Sequence, residues 1–463
     1  MSTSVTGESP SNRSMYVREE KIHPREVDGR FDRLRKLAMV VLLGMFYGGP
    51  WLTWEGRQAV LFDLPARKFY LFGLTFWPQD FLYLALLLIM AAISLFFFTA
   101  LAGRLWCGYA CPQTVWTEAF ALIERAFEGR RAQRIKLDKA PWTFDKLWRK
   151  TGKQIAWIAF ALFTGFCFVA YFVPVDELTQ QVLTLTIGGW TLFWVLFYGF
   201  ATYGNAAYMR EQVCKYMCPY ARFQSAMFDK DSLIITYDVG RGEPRGGRSR
   251  KADPASLGLG DCIDCTLCVQ ACPTGIDIRD GLQYECIACA ACIDACDSVM
   301  DKMDYPRGLV RYSTENAMSG QRTRVFRPRV LIYATLLTVL GGAFVTSLAT
   351  RVPLIVDVIK DRNSLYREVG VAGIENTYQL HIINKDRDAH EYEISVAGVE
   401  GIHLTSEARV SAAAETLINV PVAVQVPHEY ASGGHAITFT VRSLDEPTIE
   451  RVEQSRFRGP VTR

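Results

Sequence analysis

Five apolar blocks, each close to the roughly 20 residues that cross a bilayer, constrain this chain more than any other feature. They run about Leu37–Trp54, Asp80–Ala102, Ile155–Val175, Leu185–Tyr203 and Val330–Ala349. Lipid offers no partner for backbone N–H and C=O groups, so such blocks read as helices. The first is short and carries Gly48-Gly49-Pro50 near its end. Arg30, Arg33, Arg35 and Lys36 precede it, and a run of Lys and Arg from Arg104 to Lys153 separates the second block from the third. Arg322, Arg324, Arg327 and Arg329 precede the fifth, whereas Asp176–Thr184 has no basic residue. The positive-inside rule then puts the amino terminus in the cytoplasm and, after five crossings, the carboxyl terminus in the periplasm. The first 36 residues are polar with no early apolar region, so no cleavable signal peptide is expected and Met1–Lys36 reads as a flexible cytoplasmic tail.

Twelve of the thirteen cysteines fall into four tight runs. Two have ferredoxin spacing: Cys262-x-x-Cys265-x-x-Cys268-x-x-x-Cys272-Pro273 and Cys286-x-x-Cys289-x-x-Cys292-x-x-x-Cys296. Three cysteines at this spacing wrap one 4Fe–4S cluster and the fourth reaches the other. The expected ligand sets are therefore Cys262, Cys265, Cys268 and Cys296 for one cluster, and Cys286, Cys289, Cys292 and Cys272 for the second. Zinc requires four thiolates rather than eight in a double pattern, and disulfides do not suit the cytoplasm. The second run ends in Cys296-Asp297 where the first has Cys-Pro.

The other two runs form an internal repeat. Cys107-Gly-Tyr109-Ala-Cys111-Pro112 is echoed by Cys214-Lys-Tyr216-Met-Cys218-Pro219, Trp116 matches Phe223 and Ala119 matches Ala226. Each copy follows two apolar blocks, which predicts a duplicated two-helix unit. Four-residue spacing places both thiols on one face of a helix, and each proline suits the first turn of a new one. Cysteines there are expected to have lowered pKa values. Soft thiolates favour Cu(I), zinc or cluster iron, and a pair could also form a redox-active disulfide. The plain alternative is packing cysteines beside structural prolines. Met217 could add a thioether, and Cys167, alone in the third block, reads as a small apolar residue.

Arg351–Arg463 has no cysteine and alternates apolar and polar residues in Thr377–Ile383, Tyr392–Val396, Leu417–Val426 and Ala436–Val441. Such period-two runs predict an antiparallel β-sandwich. None of the six histidines falls in an apolar block, which argues against a bis-histidine membrane haem, and no Gly-rich nucleotide-binding unit stands out. The expected organisation is a tail over residues 1–36, a membrane region over 37–230 and a cytoplasmic ferredoxin-like domain with two 4Fe–4S clusters over 231–328. A fifth transmembrane helix over 329–350 and a periplasmic β-sandwich over 351–463 complete it.

The duplicated C-x-x-x-C-P motifs, the double cluster run before the last helix and the β-sandwich tail resemble the cytochrome c oxidase accessory protein family (CcoG, also called FixG or RdxA). Asp63–Tyr70, Phe76–Asp80, Cys296–Met300 and Gly308–Glu315 carry the likeness further. The resemblance implies an immunoglobulin-like tail and reduction of Cu(II) to Cu(I) during assembly of cbb-type oxidase in the bacterial inner membrane. On that reading Cys107, Cys111, Cys214 and Cys218 bind and reduce copper. The expected partners are a cytoplasmic electron donor, copper-delivery and oxidase-assembly proteins, membrane lipid and a second copy of the chain, with no nucleic acid. Two other readings stand beside it: a quinol-oxidising electron-transfer subunit and a non-enzymatic copper chaperone or assembly scaffold.

Overall fold

The computed structural model describes residues 21–460, apart from 226, 251, 362–363 and 371–372. The expected tail over 1–20 and the repeat position Ala226 lie outside the described residues. The chain divides into two compact units, Met1–Leu61 with Ile89–Leu337, and Phe62–Leu88 with Thr338–Arg463.

The helices, in chain order, are α1 (Arg30–Gly48), α2 (Phe81–Ala102), α3 (Leu105–Tyr109), α4 (Pro112–Glu128), α5 (Arg131–Lys139), α6 (Phe144–Val169), α7 (Val175–Leu183) and α8 (Gly189–Tyr203). Thr143 caps α6 by accepting from the Lys146 N–H. Pro112 opens α4, and Gly129, at φ 79°, closes it. Helices α6 and α8 approach closely because both are small at the crossing. A Cβ on Gly165 would sit 2.2 Å from the Val195 carbonyl oxygen, and one on Gly199 would sit 3.2 Å from Leu162. Small residues at such crossings are the usual means of packing membrane helices.

Among the described residues, three helices are long and apolar enough to cross a membrane: Pro78–Ala102, Phe144–Val169 and Pro328–Ala349. Two expected spans differ. Helix α1 begins with Arg30, Asp32, Arg33, Arg35 and Lys36, leaving a short apolar stretch. Helix α8 has only 15 residues before the ladder loosens into a π-helix over Gly204–Met209. A second π segment, Val213–Met217, holds Cys214. Such segments occur often at functional sites.

Residues 21–29 form no helix or strand, yet they are not a free tail. The Arg25 N–H donates to the Gln270 carbonyl (2.7 Å), and Arg131 and Arg134 donate to the carbonyls of His23 and Pro24. The Asp294 carboxylate accepts from the backbone N–H groups of Phe31 (3.2 Å) and Asp32 (2.7 Å), satisfying the start of α1. Gly29 is required there, since a Cβ would fall 2.2 Å from the Asp294 carboxyl group.

In the other unit, two sheets form a sandwich. One has the strand order 403–404, 417–426, 374–384, 354–360, with 367–368 also paired to 374–384; the other runs 409–412, 390–397, 434–443, 450–458. All pairings are antiparallel, with Leu380 opposite both Val420 and Val358. Alternate residues point inward, and Tyr378, Tyr392, Phe439 and Phe457 fill the space between the sheets. The four sequence runs match the four longest inner strands. Leu354–Lys360 and Glu450–Arg458 were not among them, because Glu450–Arg458 (ERVEQSRFR) exposes most of its side chains. At the start of α2, Asp80 takes Lys385 Nζ at 2.8 Å, both side chains being buried. We expect Asp80→Ala to destabilise this unit by roughly 3–5 kcal/mol, because it strands a buried ammonium. A melt of the isolated change should show it, and an unshifted transition would contradict it.

Candidate metal and electron-transfer site

Two cavities lie inside the ferredoxin-like region. The first is walled by Cys262, Cys265, Cys268 and Cys296. The second is walled by Cys272, Cys286, Cys289 and Cys292, with Cys268 on the partition between the two. The fourth cysteine of each run thus faces the other run's cavity. The two loops repeat one backbone shape. Asp264 (φ 52°) and Thr266 (φ 56°) flank Cys265, and Ala288 (φ 54°) and Ala290 (φ 60°) flank Cys289. Left-handed backbone at four residues with a Cβ is strained, and it turns N–H groups inward as an anion-binding concavity. Strained turns of this kind fit a sulfide-bearing cluster.

Among the described residues, no three Cys, His, Asp or Glu side chains stand close enough to hold a single ion. A lone ion at about 2.3 Å from each sulfur requires thiolates under about 4 Å apart. A cubane keeps its four ligands wider apart, which fits the cysteines set around each cavity. Burial pushes the thiols up, Cys268 to about 11 and Cys286 and Cys296 to about 12. Buried thiols lose their protons when a cation arrives to balance the charge.

The paired cysteines sit differently from the expectation of one helix face. Cys107 lies in α3 and Cys111 caps α4 in extended conformation. Cys214 lies in the π segment, and Cys218 ends it with ψ 109°. The cause is the following proline, which excludes helical backbone from the residue before it. Helices do start at Pro112 and Pro219. The two pairs, far apart in sequence, converge: Cys107 lies within electrostatic reach of Cys111, Cys214 and Cys218, and Cys214 within reach of Cys111. The repeats interlock to hold them. Gln113 of the first donates to the carbonyls of Asn205 (2.9 Å) and Arg210 (3.0 Å), at the end of the first π-helical segment. Gln224 of the second faces the Cys107 thiol (3.8 Å) and donates to the Gly103 carbonyl.

The expected lowering of these pKa values is not found. Burial pushes Cys107 up to about 12 and Cys214 to about 11. Burial also raises Cys111, although N–H groups of Gln113 and Thr114 pull the other way. Desolvation of these thiolates outweighs the charge of Arg104, which pulls Cys107 and Cys214 the other way. Met217 is largely exposed and Cys167 is fully buried.

Sequence reasoning missed the residues that join these two regions. Arg104, nearly fully buried, donates to the carbonyls of Tyr284, Cys286 (3.2 Å) and Ala221 (2.5 Å). Arg35 donates to the Cys289 carbonyl at 2.6 Å. Both look like topology-setting charges in a basic loop. A cavity of about 130 Å³ reaches both Cys214 and Cys289, with Arg35, Glu118 and Glu211 on its walls.

Comparison with known proteins bears directly on this arrangement. Residues 209–315 match the 4Fe-4S dicluster domain, residues 84–130 a 4Fe-4S binding domain, and residues 344–460 the "IG-like fold at C-terminal of FixG". The chain is 39% identical over 407 residues to "Nitrogen fixation protein FixG" of Rhizobium meliloti (80% of this chain, 78% of the relative). The chain belongs to the FixG/RdxA family. It is also 40% identical to "Protein RdxA" of Cereibacter sphaeroides (96% of this chain, 94% of the relative) and 40% identical to "Protein RdxB" of the same organism (90% and 89%). It is therefore an iron–sulfur membrane protein of the FixG/RdxA type, with a 4Fe–4S dicluster domain and an immunoglobulin-like carboxyl-terminal domain.

Proposed function

We propose that this protein is a one-electron metal reductase that turns Cu(II) into Cu(I) for assembly of cbb-type cytochrome c oxidase. The observation that carries the reading is the convergence of Cys107, Cys111, Cys214 and Cys218 beside the Cys286–Cys292 loop. Cys262, Cys265, Cys268 and Cys296 would hold one 4Fe–4S cluster, and Cys272, Cys286, Cys289 and Cys292 the other. When bound, the clusters would supply electrons one at a time. The chain's own part is to capture the substrate ion. Thiolates prefer Cu(I) to Cu(II), so four of them pull the couple towards the reduced ion. The thiols start too far apart for one ion, so capture draws them inward.

Topology supports the same reading. Helix α8 with its π extension, Gly189–Met209, is long enough to cross, and α1 supplies a shorter fifth span. Five crossings would put the cluster domain in the cytoplasm and the sandwich in the periplasm, in line with the basic loops. A cytoplasmic donor would feed the clusters. The sandwich would meet copper-delivery or oxidase-assembly proteins, and a second copy of the chain could pair with this one. The test is anaerobic addition of Cu(II) to reduced protein, following the cluster signal by electron paramagnetic resonance and Cu(I) by a chromogenic chelator. Cluster oxidation matched one-for-one by Cu(I) is the expected result. Clusters reduced by added quinol and inert to Cu(II) would favour the quinol-oxidising reading.

A pH dependence follows. With the Cys107 thiol held near 12 and the Cys214 thiol near 11, copper must displace protons to bind. Apparent Cu(I) affinity should therefore tighten as pH rises from 6 to 8, by about tenfold per pH unit for each proton displaced. A competition titration with a Cu(I) chelator reads it, and an affinity flat with pH would contradict buried protonated thiols.

A further inference from the structure

The first paired-cysteine motif lies directly against one of the two cluster loops. A Cβ on Gly108 would fall 2.8 Å from both the Ala288 carbonyl oxygen and the Cys289 Cα. Those are backbone atoms with no flexible end to swing aside. Tyr312 donates to the Ala288 carbonyl at 2.6 Å, and its hydroxyl meets that of Tyr109 at 3.4 Å. Arg104, just before the motif, holds the Cys286 carbonyl. The Cys262–Cys268 run makes its backbone bonds elsewhere, to Gly246 and Arg248.

We infer that the site walled by Cys272, Cys286, Cys289 and Cys292 is the one that serves the paired thiols, and that Gly108 and Tyr312 are positioning residues that set the gap between them. The inference rests on the metal-reductase reading for the identity of the acceptor. Electron tunnelling weakens exponentially with the distance between edges, so a backbone contact with no side chain between is the shortest crossing available. In the transfer, one electron leaves the iron–sulfur site and one Cu(II) becomes Cu(I). No bond forms or breaks, and a low-potential one-electron donor restores the site. The Cys262–Cys268 site then takes electrons in from that donor.

The test uses full-length holoprotein carrying Gly108→Val or Tyr312→Phe, reduced anaerobically with dithionite. A Cys296→Ser protein assigns which paramagnetic signal belongs to which site. Both variants should keep the wild-type iron content. Gly108→Val should slow reoxidation by Cu(II) by about tenfold or more, as small misplacements of reacting groups do, while reoxidation by ferricyanide, which collects electrons at any exposed point, stays unchanged. Tyr312→Phe keeps its ring and should shift the line shape of only the signal assigned to the Cys272, Cys286, Cys289 and Cys292 site. If Gly108→Val fails to fold, Tyr312→Phe decides by that shift. Unchanged Cu(II) rates, or a shift in the other signal, would overturn the inference. A wild-type protein that Cu(II) cannot reoxidise would sink the reductase reading, and a Tyr312→Phe spectrum shifted at the assigned site would still uphold the positioning role.

Discussion

Replacing Cys214 and Cys218 together with serine should abolish copper reduction and leave the iron–sulfur absorbance intact. The two cavities draw no wall from these residues, so both clusters should still form. The loss should exceed about 100-fold, beyond the 10–100-fold that removal of a residue merely supporting a ligand costs. The same double change at Cys107 and Cys111 should match it, because the four thiols converge and neither pair suffices for a four-thiolate site. Reduction that survives either double change would show that copper is reduced elsewhere, at the clusters themselves or at the dicluster surface. Loss of absorbance along with activity would mean that the motif is a structural prop for the cluster domain. The serine hydroxyls keep the volume and most of the polarity, so collapse of the fold is a weak explanation for a selective effect.

Glu124→Ala should be the most destabilising single change in the helical unit. The Glu124 side chain is fully buried, and it faces Arg210 at 2.9 Å, Arg134 at 3.2 Å and both Lys21 and Lys153 at 3.8 Å. One turn along α4, buried Glu128 takes Lys153 at 2.6 Å and Lys150 at 3.0 Å. Removing Glu124 takes the facing carboxylate from largely buried Arg210 and weakens the pairing of Arg134 and Lys153, at a cost of about 3–5 kcal/mol. The transition should fall by on the order of 10 °C. Burial pushes the Glu124 carboxyl up, but Arg210, Lys21 and Lys153 outweigh it and hold the group below the ordinary carboxylate value. Its stabilisation is therefore complete above pH 4.5 and is lost as pH falls through the lowered value. A Glu124→Gln protein should show a flatter acid limb in that window. A melt unaffected by Glu124→Ala would mean that the cations reach water or lipid headgroups once the carboxylate is gone.

Much of this was legible in the residues. Ligand spacing predicts that Cys272 and Cys296 each face the other run's cavity, because the spacing is dictated by the cluster and not by the surrounding fold. Strand periodicity predicts the inner strands of the sandwich for the same reason: one face must be apolar. The repeat predicts that both prolines start helices. What escaped depends on tertiary approach. No periodicity marks Arg35 or Arg104 as donors to carbonyls of the cluster loop, since both sit in segments whose positive charge already has a topological explanation. The lowered thiol pKa failed because it weighed the helix end and left out desolvation. The short α1 and the π-helical end of α8 escaped because hydropathy reports length in residues and not where a helical ladder loosens.

The strap formed by residues 21–29 has a consequence for biogenesis. The strap and the start of α1 after it find partners far downstream: Arg25 meets Gln270, Phe31 meets Asp294 across 263 positions and Arg35 meets Cys289 across 254. A segment made early is thus fixed only after a segment made much later. Closing so long a loop costs entropy that only the finished partner can repay. That partner is the helix Ala291–Met303 and the loop before it, whose strained turns are shaped for inorganic sulfide. Seating of residues 21–35 should therefore follow formation of that loop and helix. A protease that cuts near Arg25 would distinguish immature chains from finished ones without any measurement of iron.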